Sequence, residues 1–187
     1  MSAGGRPVVP GEVCSRVVMR AEVTRQDSDV VREIVAATGF FSAAEVDVAV
    51  ELVDERLSKG PASGYEFLFA DVGGETIGYA CYGPIACTVG SYDLYWLAVR
   101  PEYQGHGLGR LLMWATEDRI RAVGGRRVYI ETSGREQYFP TRAFYERCGY
   151  RVEAMLADFY SPGDAKYVYC RPVPSADEAE GTADMGA

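Results

Sequence analysis

Residues 92–124 (YDLYWLAVRPEYQGHGLGRLLMWATEDRIRAVG) constrain the fold of this chain more than any other stretch. They open with an apolar, aromatic-rich run over 92–99 that has strand character, and the run breaks at Pro101. A glycine-spaced turn follows, Gln104-Gly105-His106-Gly107-Leu108-Gly109, and then Leu111, Leu112, Ala115 and Ile120 recur at helical spacing. The reading is strand, loop, helix, with the glycines where the helix begins. The first N–H groups of a helix lack intrahelical partners and carry a partial positive charge of about half a unit, so they suit a phosphate. Glycine lets such an anion approach the backbone, because no Cβ stands in the way.

Two phosphate-binding motifs fail on this stretch. A P-loop needs Gly-Lys-Ser/Thr after its spacer, and the chain has Gly109-Arg110-Leu111. The dinucleotide fingerprint G-x-G-x-x-G needs glycine where Arg110 stands. What remains is Gln-x-x-Gly-x-Gly, formed by Gln104, Gly107 and Gly109, after a strand that ends in Val-Arg-Pro.

That pattern, between an apolar strand and an amphipathic helix, resembles the acyl-CoA pyrophosphate motif Arg/Gln-x-x-Gly-x-Gly/Ala of the GCN5-related N-acetyltransferase (GNAT) superfamily. The resemblance extends over residues 17–173, and it matches best in the central and C-terminal parts. It implies an α/β (α+β) GNAT fold, a mixed, mostly antiparallel central sheet of six to seven strands with helices on both faces. It also implies acetyl-CoA as co-substrate, with the pyrophosphate held by Gln104, Gly105, His106, Gly107, Leu108, Gly109 and Arg110. The pantetheine arm would lie along the main chain of Leu97, Ala98 and Val99, where the strand splays from its neighbour.

Length and composition set the outer bounds. The 187 residues suit a single domain over 16–173, and 48% hydrophobic residues is ordinary for a globular chain. A formal net charge of -8 argues against nucleic acid or an anionic membrane as partner and mildly favours cationic ligands such as amines. CoA is an anion, so Arg100, Arg110 and the glycine-loop amides are expected to make a local positive patch. No stretch approaches the roughly 20 apolar residues of a membrane span, and the first ten residues lack the apolar core of a secretory signal, so a cytoplasmic location is expected. The five cysteines, Cys14, Cys81, Cys87, Cys148 and Cys170, form no C-x-x-C pair and read as reduced thiols without a metal or catalytic role.

Taken in order, residues 1–15 read as a flexible leader and 16–23 as a first strand. A helix over 27–38 is expected from Val30, Val31, Ile34 and Val35, with Asp27 or Ser28 as its cap and Gly39 as its stop. Ser42-Ala43-Ala44-Glu45 is a capping-box pattern ahead of a second helix that ends near residues 59–61. Residues 65–72 and 75–82 flank Gly73-Gly74 as a hairpin. After the central helix ends at Gly124-Gly125, a strand is expected over 127–132 and a short helix over 141–147, capped by Thr141. Strands over 150–159 and 166–173 would be joined by a turn over 160–164, and an acidic, disordered tail over 174–187 would follow.

Acetyl transfer to an amine needs a neutral amine, a polarised thioester carbonyl and a proton for the departing thiolate. The resemblance implies a tyrosine as that proton donor, on the short helix in a pattern ending Tyr-x-x-x-Gly-Phe. Here Tyr145 to Tyr150 reads Tyr-Glu-Arg-Cys-Gly-Tyr. An asparagine common near the start of that helix has no counterpart in Gln137-Tyr138-Phe139-Pro140. Two carboxylates are candidate bases: Asp93, where histone-type members carry a strand glutamate, and Glu131, where ribosomal-protein N-terminal acetyltransferases carry theirs. Glu131 is slightly preferred, although two extra residues separate it from the tyrosine. Phe40 and Phe41 are candidate contacts to the acceptor, since the first two helices and their connection wall the acceptor site in that fold, and Tyr95 is a third because it shares a strand face with Asp93. His106 has the chemistry of a base, but within the phosphate loop it lies far from the thioester end of an extended cofactor. The expected activity is direct transfer to a primary amine of a small molecule, amino acid or peptide, without metal, and homodimers are common in that superfamily. A non-catalytic acyl-CoA-binding module on the same scaffold is the alternative.

Overall fold

The computed structural model describes residues 14–173. The acidic tail and all but the last two residues of the expected leader lie outside them; those two begin a 3-10 turn, Cys14–Arg16. Among the described residues seven strands form one sheet. They are β1 (Val18–Arg20), β2 (Glu66–Val72), β3 (Glu75–Pro84), β4 (Ser91–Val99), β5 (Arg127–Ser133), β6 (Arg151–Ser161) and β7 (Asp164–Pro172). The spatial order is β1-β2-β3-β4-β5-β7-β6. Every neighbouring pair is antiparallel except β4 and β5. Four α-helices complete the fold: α1 (Asp27–Ala37), α2 (Ala43–Lys59), α3 (Leu108–Ala122) and α4 (Phe139–Arg147).

Strand alternation sends side chains to opposite faces, and each face collects its own core. On one, Val31, Ile34 and Val35 of α1 and Val46, Ala49 and Val53 of α2 pack with Phe67, Phe69, Tyr79 and Ala98. On the other, Leu108, Leu112 and Ile120 of α3 and Tyr145 of α4 pack with Leu68, Ala80, Leu94, Val128 and Tyr169. The hairpin at Gly73-Gly74 forms as expected, with Val72 opposite Glu75. The capping box also forms: Ser42 Oγ accepts from the Glu45 N–H, and the Glu45 carboxylate accepts from the Ser42 N–H at 2.8 Å. No helix among the described residues is long and apolar enough to cross a membrane.

Several boundaries differ from the sequence reading, and β3 runs on to Pro84, two residues past its expected end. The first strand spans only Val18–Arg20. Helix α4 starts at Phe139, two residues before Thr141, because Pro140 fits the first turn, where a missing N–H costs nothing. The last hairpin is tighter than expected: β6 runs on to Ser161 and pairs it with Asp164, so only Pro162 and Gly163 make the turn.

The entry to α1 is fixed by charge. The Arg20 guanidinium donates to both oxygens of Asp27, at 2.9 and 3.0 Å, and to Asp71 at 2.8 Å. Asp27 is buried and also accepts the Thr24 N–H at 2.6 Å. Removing the cation leaves a buried carboxylate without a counter-charge, at a cost of roughly 3 kcal/mol, the low end for such a pair because Arg20 is itself partly exposed. Arg20→Met is therefore expected to lower Tm by about 6–12 °C in a chain of this size. A melting curve superimposable on the wild type would show that α1 is anchored without this pair.

Candidate active site

The site begins with an irregularity in β4. Its register against β3 runs from Tyr92 opposite Pro84 to Val99 opposite Gly78, but Leu94 and Trp96 face the adjacent residues Tyr82 and Cys81. Tyr95 is thus the extra residue of a β-bulge, the device that re-aims side chains in a sheet. On its other edge β4 pairs with β5 through Ser91, Tyr92 and Asp93 alone, opposite Arg127, Val128 and Tyr129. Beyond Asp93 the two strands part, and β5 continues against β7 as far as Ser133. The separation expected near Leu97–Val99 is present, and it starts earlier.

The gap opens into a cleft of about 1320 Å³ whose wall takes residues from both faces of the sheet. Leu97, Ala98 and Val99 line it along the free edge of β4. Gln104, Gly105, Gly107, Gly109 and Arg110 line it at the loop. Gln104 holds the loop against the strand, its side-chain amide donating to the Val99 carbonyl at 3.0 Å. Gly107 precedes α3 with φ +87°, a conformation that favours glycine, and no side chain caps the helix. The amides that open α3 are therefore available to an anion.

Gly109 tests whether that anion fits. A Cβ added there would meet only the Phe144 ring, at an ordinary 3.4 Å. Glycine in a helix costs up to about 1 kcal/mol relative to alanine, so packing within the protein gives no reason for glycine here. Close approach of a ligand from the cleft does.

Not every expected loop residue takes part. Leu108 turns its side chain into the core, leaving its main chain at the helix start. His106 is not on the cleft wall, and its Nδ1 lies 2.7 Å from the Gln104 carbonyl oxygen. Arg100, expected beside Arg110 in the positive patch, points elsewhere: it donates to the Thr76 carbonyl at 3.0 Å and to Glu33 at 3.1 Å, clamping α1 to β3. Arg147, which the sequence reading passed over, lines the cleft instead. It lies in the last turn of α4, two residues after Tyr145, and that spacing was its only signal.

Tyr145 reaches the cleft from the α3/α4 face. Its ring packs among Phe144, Tyr150 and Tyr169, with centroids at 5.6, 6.3 and 5.8 Å. Its hydroxyl has no hydrogen-bond partner among the described residues. Burial pushes the phenol well above its usual range, so it stays neutral.

Asp93 and Glu131 both line the cleft, on the adjacent strands β4 and β5. They differ in their partners. Lys166 of β7 donates to Glu131 at 2.8 Å. Asp93 has no hydrogen-bond or ion-pair partner among the described residues. Burial raises its pKa first, the charge of Glu131 adds to this, and Lys166 opposes it. Tyr95, on the same wall, is pushed up to about 12, mainly by burial and then by the Asp93 charge.

Phe40 and Phe41, in the α1–α2 connection, also line the cleft. Phe41 meets Trp96 edge-on at 4.8 Å, and Phe40 lies 6.0 Å from Tyr138. Tyr138 is a further cleft residue that no local motif in Gln137–Pro140 marks. It is buried beside the start of α4 and donates to the Phe40 carbonyl at 3.4 Å, tying the two sides of the cleft together. Among the described residues no three His, Cys, Asp or Glu side chains are arranged to hold a metal ion.

Comparison with known proteins bears on this geometry. The model of the "Acetyltransferase (GNAT) family" matches residues 32–150. The chain is similar to a Desulfovibrio desulfuricans protein assigned as an acetyltransferase of the GNAT family, with 50% identity, TM-score 0.83, and coverage of 84% of this chain and 99% of that one. More distant likeness, of fold alone, extends to the PaiA N-acetyltransferase of Thermoplasma acidophilum in complex with coenzyme A (18% identity, TM-score 0.65, 83% and 98% covered). It extends likewise to the ribosomal-protein-S18-alanine N-acetyltransferase of Escherichia coli (16% identity, TM-score 0.66, 86% and 96% covered). The splayed β4–β5 pair, the uncapped glycine start of α3 and the match over 32–150 agree, and the chain belongs to the acetyltransferase (GNAT) family, as an acyltransferase.

Proposed function

We propose that this protein moves the acetyl group of acetyl-CoA directly onto a primary amine, with Asp93 as base and Tyr145 as acid. The observation that carries the reading is convergence on one cleft. The free edge of β4, the glycine start of α3, a neutral phenol and an unpaired carboxylate all line it.

In this reading the amides of Gly107–Arg110 receive the pyrophosphate, with Arg110 and Arg147 supplying positive charge. The main chain of Leu97, Ala98 and Val99 pairs with the pantetheine amides in place of a strand. Acetyl-CoA supplies the activated acyl group: its C–S bond breaks as the N–C bond to the amine forms. Asp93 takes the proton of the ammonium through a water, for which its raised pKa makes it a better base than an ordinary aspartate. Tyr145 gives its proton to the departing sulfur, and the second proton that the nitrogen sheds as the amide forms returns the phenol to its neutral state. The phenol is a weak acid in this setting, yet the same desolvation strengthens the thiolate as a base, so the proton still has a favourable place to go. A reducing, cytoplasmic setting fits, since Cys81, Cys87, Cys148 and Cys170 are free thiols.

Four variants separate these roles. Tyr145→Phe is expected to bind CoA as the wild type does in calorimetry and to lose roughly 10²–10⁴-fold in kcat; unchanged turnover removes Tyr145 from the mechanism. Asp93→Asn is expected to abolish the enzyme's own acidic limb in the pH profile of kcat/KM. Glu131→Gln should keep that limb and move it to lower pH, because the negative charge that helps raise the Asp93 pKa is gone. Loss of the limb in Glu131→Gln, with Asp93→Asn unaffected, would reverse the assignment. Gly109→Ala should melt no lower than the wild type while CoA affinity falls about tenfold or more, roughly the 1.4 kcal/mol of one displaced contact. Wild-type affinity in that variant would place the pyrophosphate elsewhere.

A further inference from the structure

Resting on the acetyl-transfer reading above, we propose that the acceptor is a hydrophobic primary monoamine, a single ammonium group on an aromatic or branched aliphatic body.

The charges of the cleft set the first limit. Four charged side chains line the wall away from the glycine loop: Glu45, Asp93, Glu131 and Arg135. Three are already engaged. Glu45 accepts from Ser42 in the capping box at 2.8 Å, Glu131 from Lys166 at 2.8 Å, and Arg135 donates to Asp164 at 2.9 Å. Arg135 also lies over the Tyr138 ring at 5.7 Å. Asp93 alone of the four has no partner among the described residues. One open carboxylate offers a place for one ammonium. A polyamine or a polycationic sugar would bring further ammonium groups to carboxylates already satisfied, and an α-amino acid would bring its carboxylate to a guanidinium already neutralised.

The remainder of the wall sets the second limit. Val48 and Leu52 lie on one stripe of α2, facing the cleft with Phe40, Tyr95 and Tyr160. Val48 is 47% exposed, Tyr160 47%, Tyr95 40% and Phe40 37%. Large apolar side chains grouped around a concave surface and left open to water are a binding surface rather than core. The rings are also held in place. Tyr95 is the bulge residue and meets Tyr65 edge-on at 5.4 Å, and Phe41 meets Trp96 at 4.8 Å. A flat or branched apolar group can be covered there without reorganising the wall, with its amine turned to Asp93.

The test measures CoA-thiol release with acetyl-CoA and five acceptors: phenethylamine, isoamylamine, ethanolamine, spermidine and phenylalanine. Binding of phenethylamine to the CoA-loaded protein is followed in parallel by calorimetry. The expected result is a kcat/KM for phenethylamine and isoamylamine exceeding that of ethanolamine and spermidine by roughly 10- to 100-fold, the factor that burial of such a body supplies, and that of phenylalanine by at least about tenfold, because its carboxylate meets no open cation. Val48→Glu, at an exposed position of α2, should melt as the wild type does. It should lower phenethylamine kcat/KM and calorimetric affinity by about tenfold, and spermidine should lose nothing. Ethanolamine, spermidine or phenylalanine matching phenethylamine would overturn the acceptor class and leave acetyl transfer standing. Saturable acetyl-CoA binding with no thiol released from any amine would overturn the acceptor class and acetyl transfer together.

Discussion

The parting of β4 from β5 after Asp93 is the constraint on which the rest of the structure depends. A strand in the middle of a sheet normally has both edges paired, because a buried N–H or C=O without a partner costs about as much as a lost hydrogen bond. Here the β3 edge of β4 is paired from Tyr92 to Val99 except at the Tyr95 bulge, and the β5 edge is free beyond Asp93. The fold tolerates this because the free edge faces a cleft instead of core. A ligand with amide groups can complete the ladder that β5 abandons, and a strand-like arm of CoA has such groups. The Gln104 side chain shows the same demand being met from within the protein: it satisfies the Val99 carbonyl at the far end of the edge.

Everything around the gap is braced to keep it open. The α1/α2 layer is anchored at its start by Arg20 and along its side by Arg100, which joins Glu33 of α1 to the Thr76 carbonyl of β3. On the opposite side, Tyr150 and Arg171 both donate to the buried Glu117 of α3, at 2.9 and 2.7 Å, tying that helix to β7 and to the chain leaving α4. The two layers touch across the cleft through Tyr138 and the Phe40 carbonyl. In the proposed reading such a frame would fix an acyl group and an amine in one geometry, and positioning of that kind accounts for a large share of a bimolecular rate enhancement.

Much of this was legible in the sequence where a local rule and a tertiary need coincide. The Ser42–Glu45 capping box, the Gly73-Gly74 hairpin and the glycine start of α3 each follow from a few adjacent residues, and each forms. The differences arise where a distant partner decides. Arg100 reads as part of an anion patch from its place beside the loop, but the carboxylate of Glu33 and the carbonyl of Thr76, far off in sequence, claim it. Tyr138 carries no local mark, and its position depends on Phe40, 98 residues away. The bulge at Tyr95 is likewise invisible, because a single inserted residue leaves an aromatic-rich run looking regular.

The choice between the two carboxylates shows the same logic at the level of chemistry. In the sequence both residues are candidates by their place on strands, with Glu131 slightly preferred. Lys166 reverses the preference by taking Glu131 into an ion pair. That pair is nearly neutral as a unit, and its two charges act on Asp93 in opposite senses, Glu131 raising the pKa and Lys166 lowering it. Burial is then the largest influence on Asp93 and raises its pKa. In the proposed reading, a base tuned mainly by burial stays open to an incoming ammonium, which would act with Lys166 in lowering its pKa. With Asp93 in the proposed role, binding the acceptor and readying the base would be opposed at the same atom. Transfer of the proton through a water resolves the opposition, since the ammonium need not form a direct ion pair with Asp93 before it loses its charge.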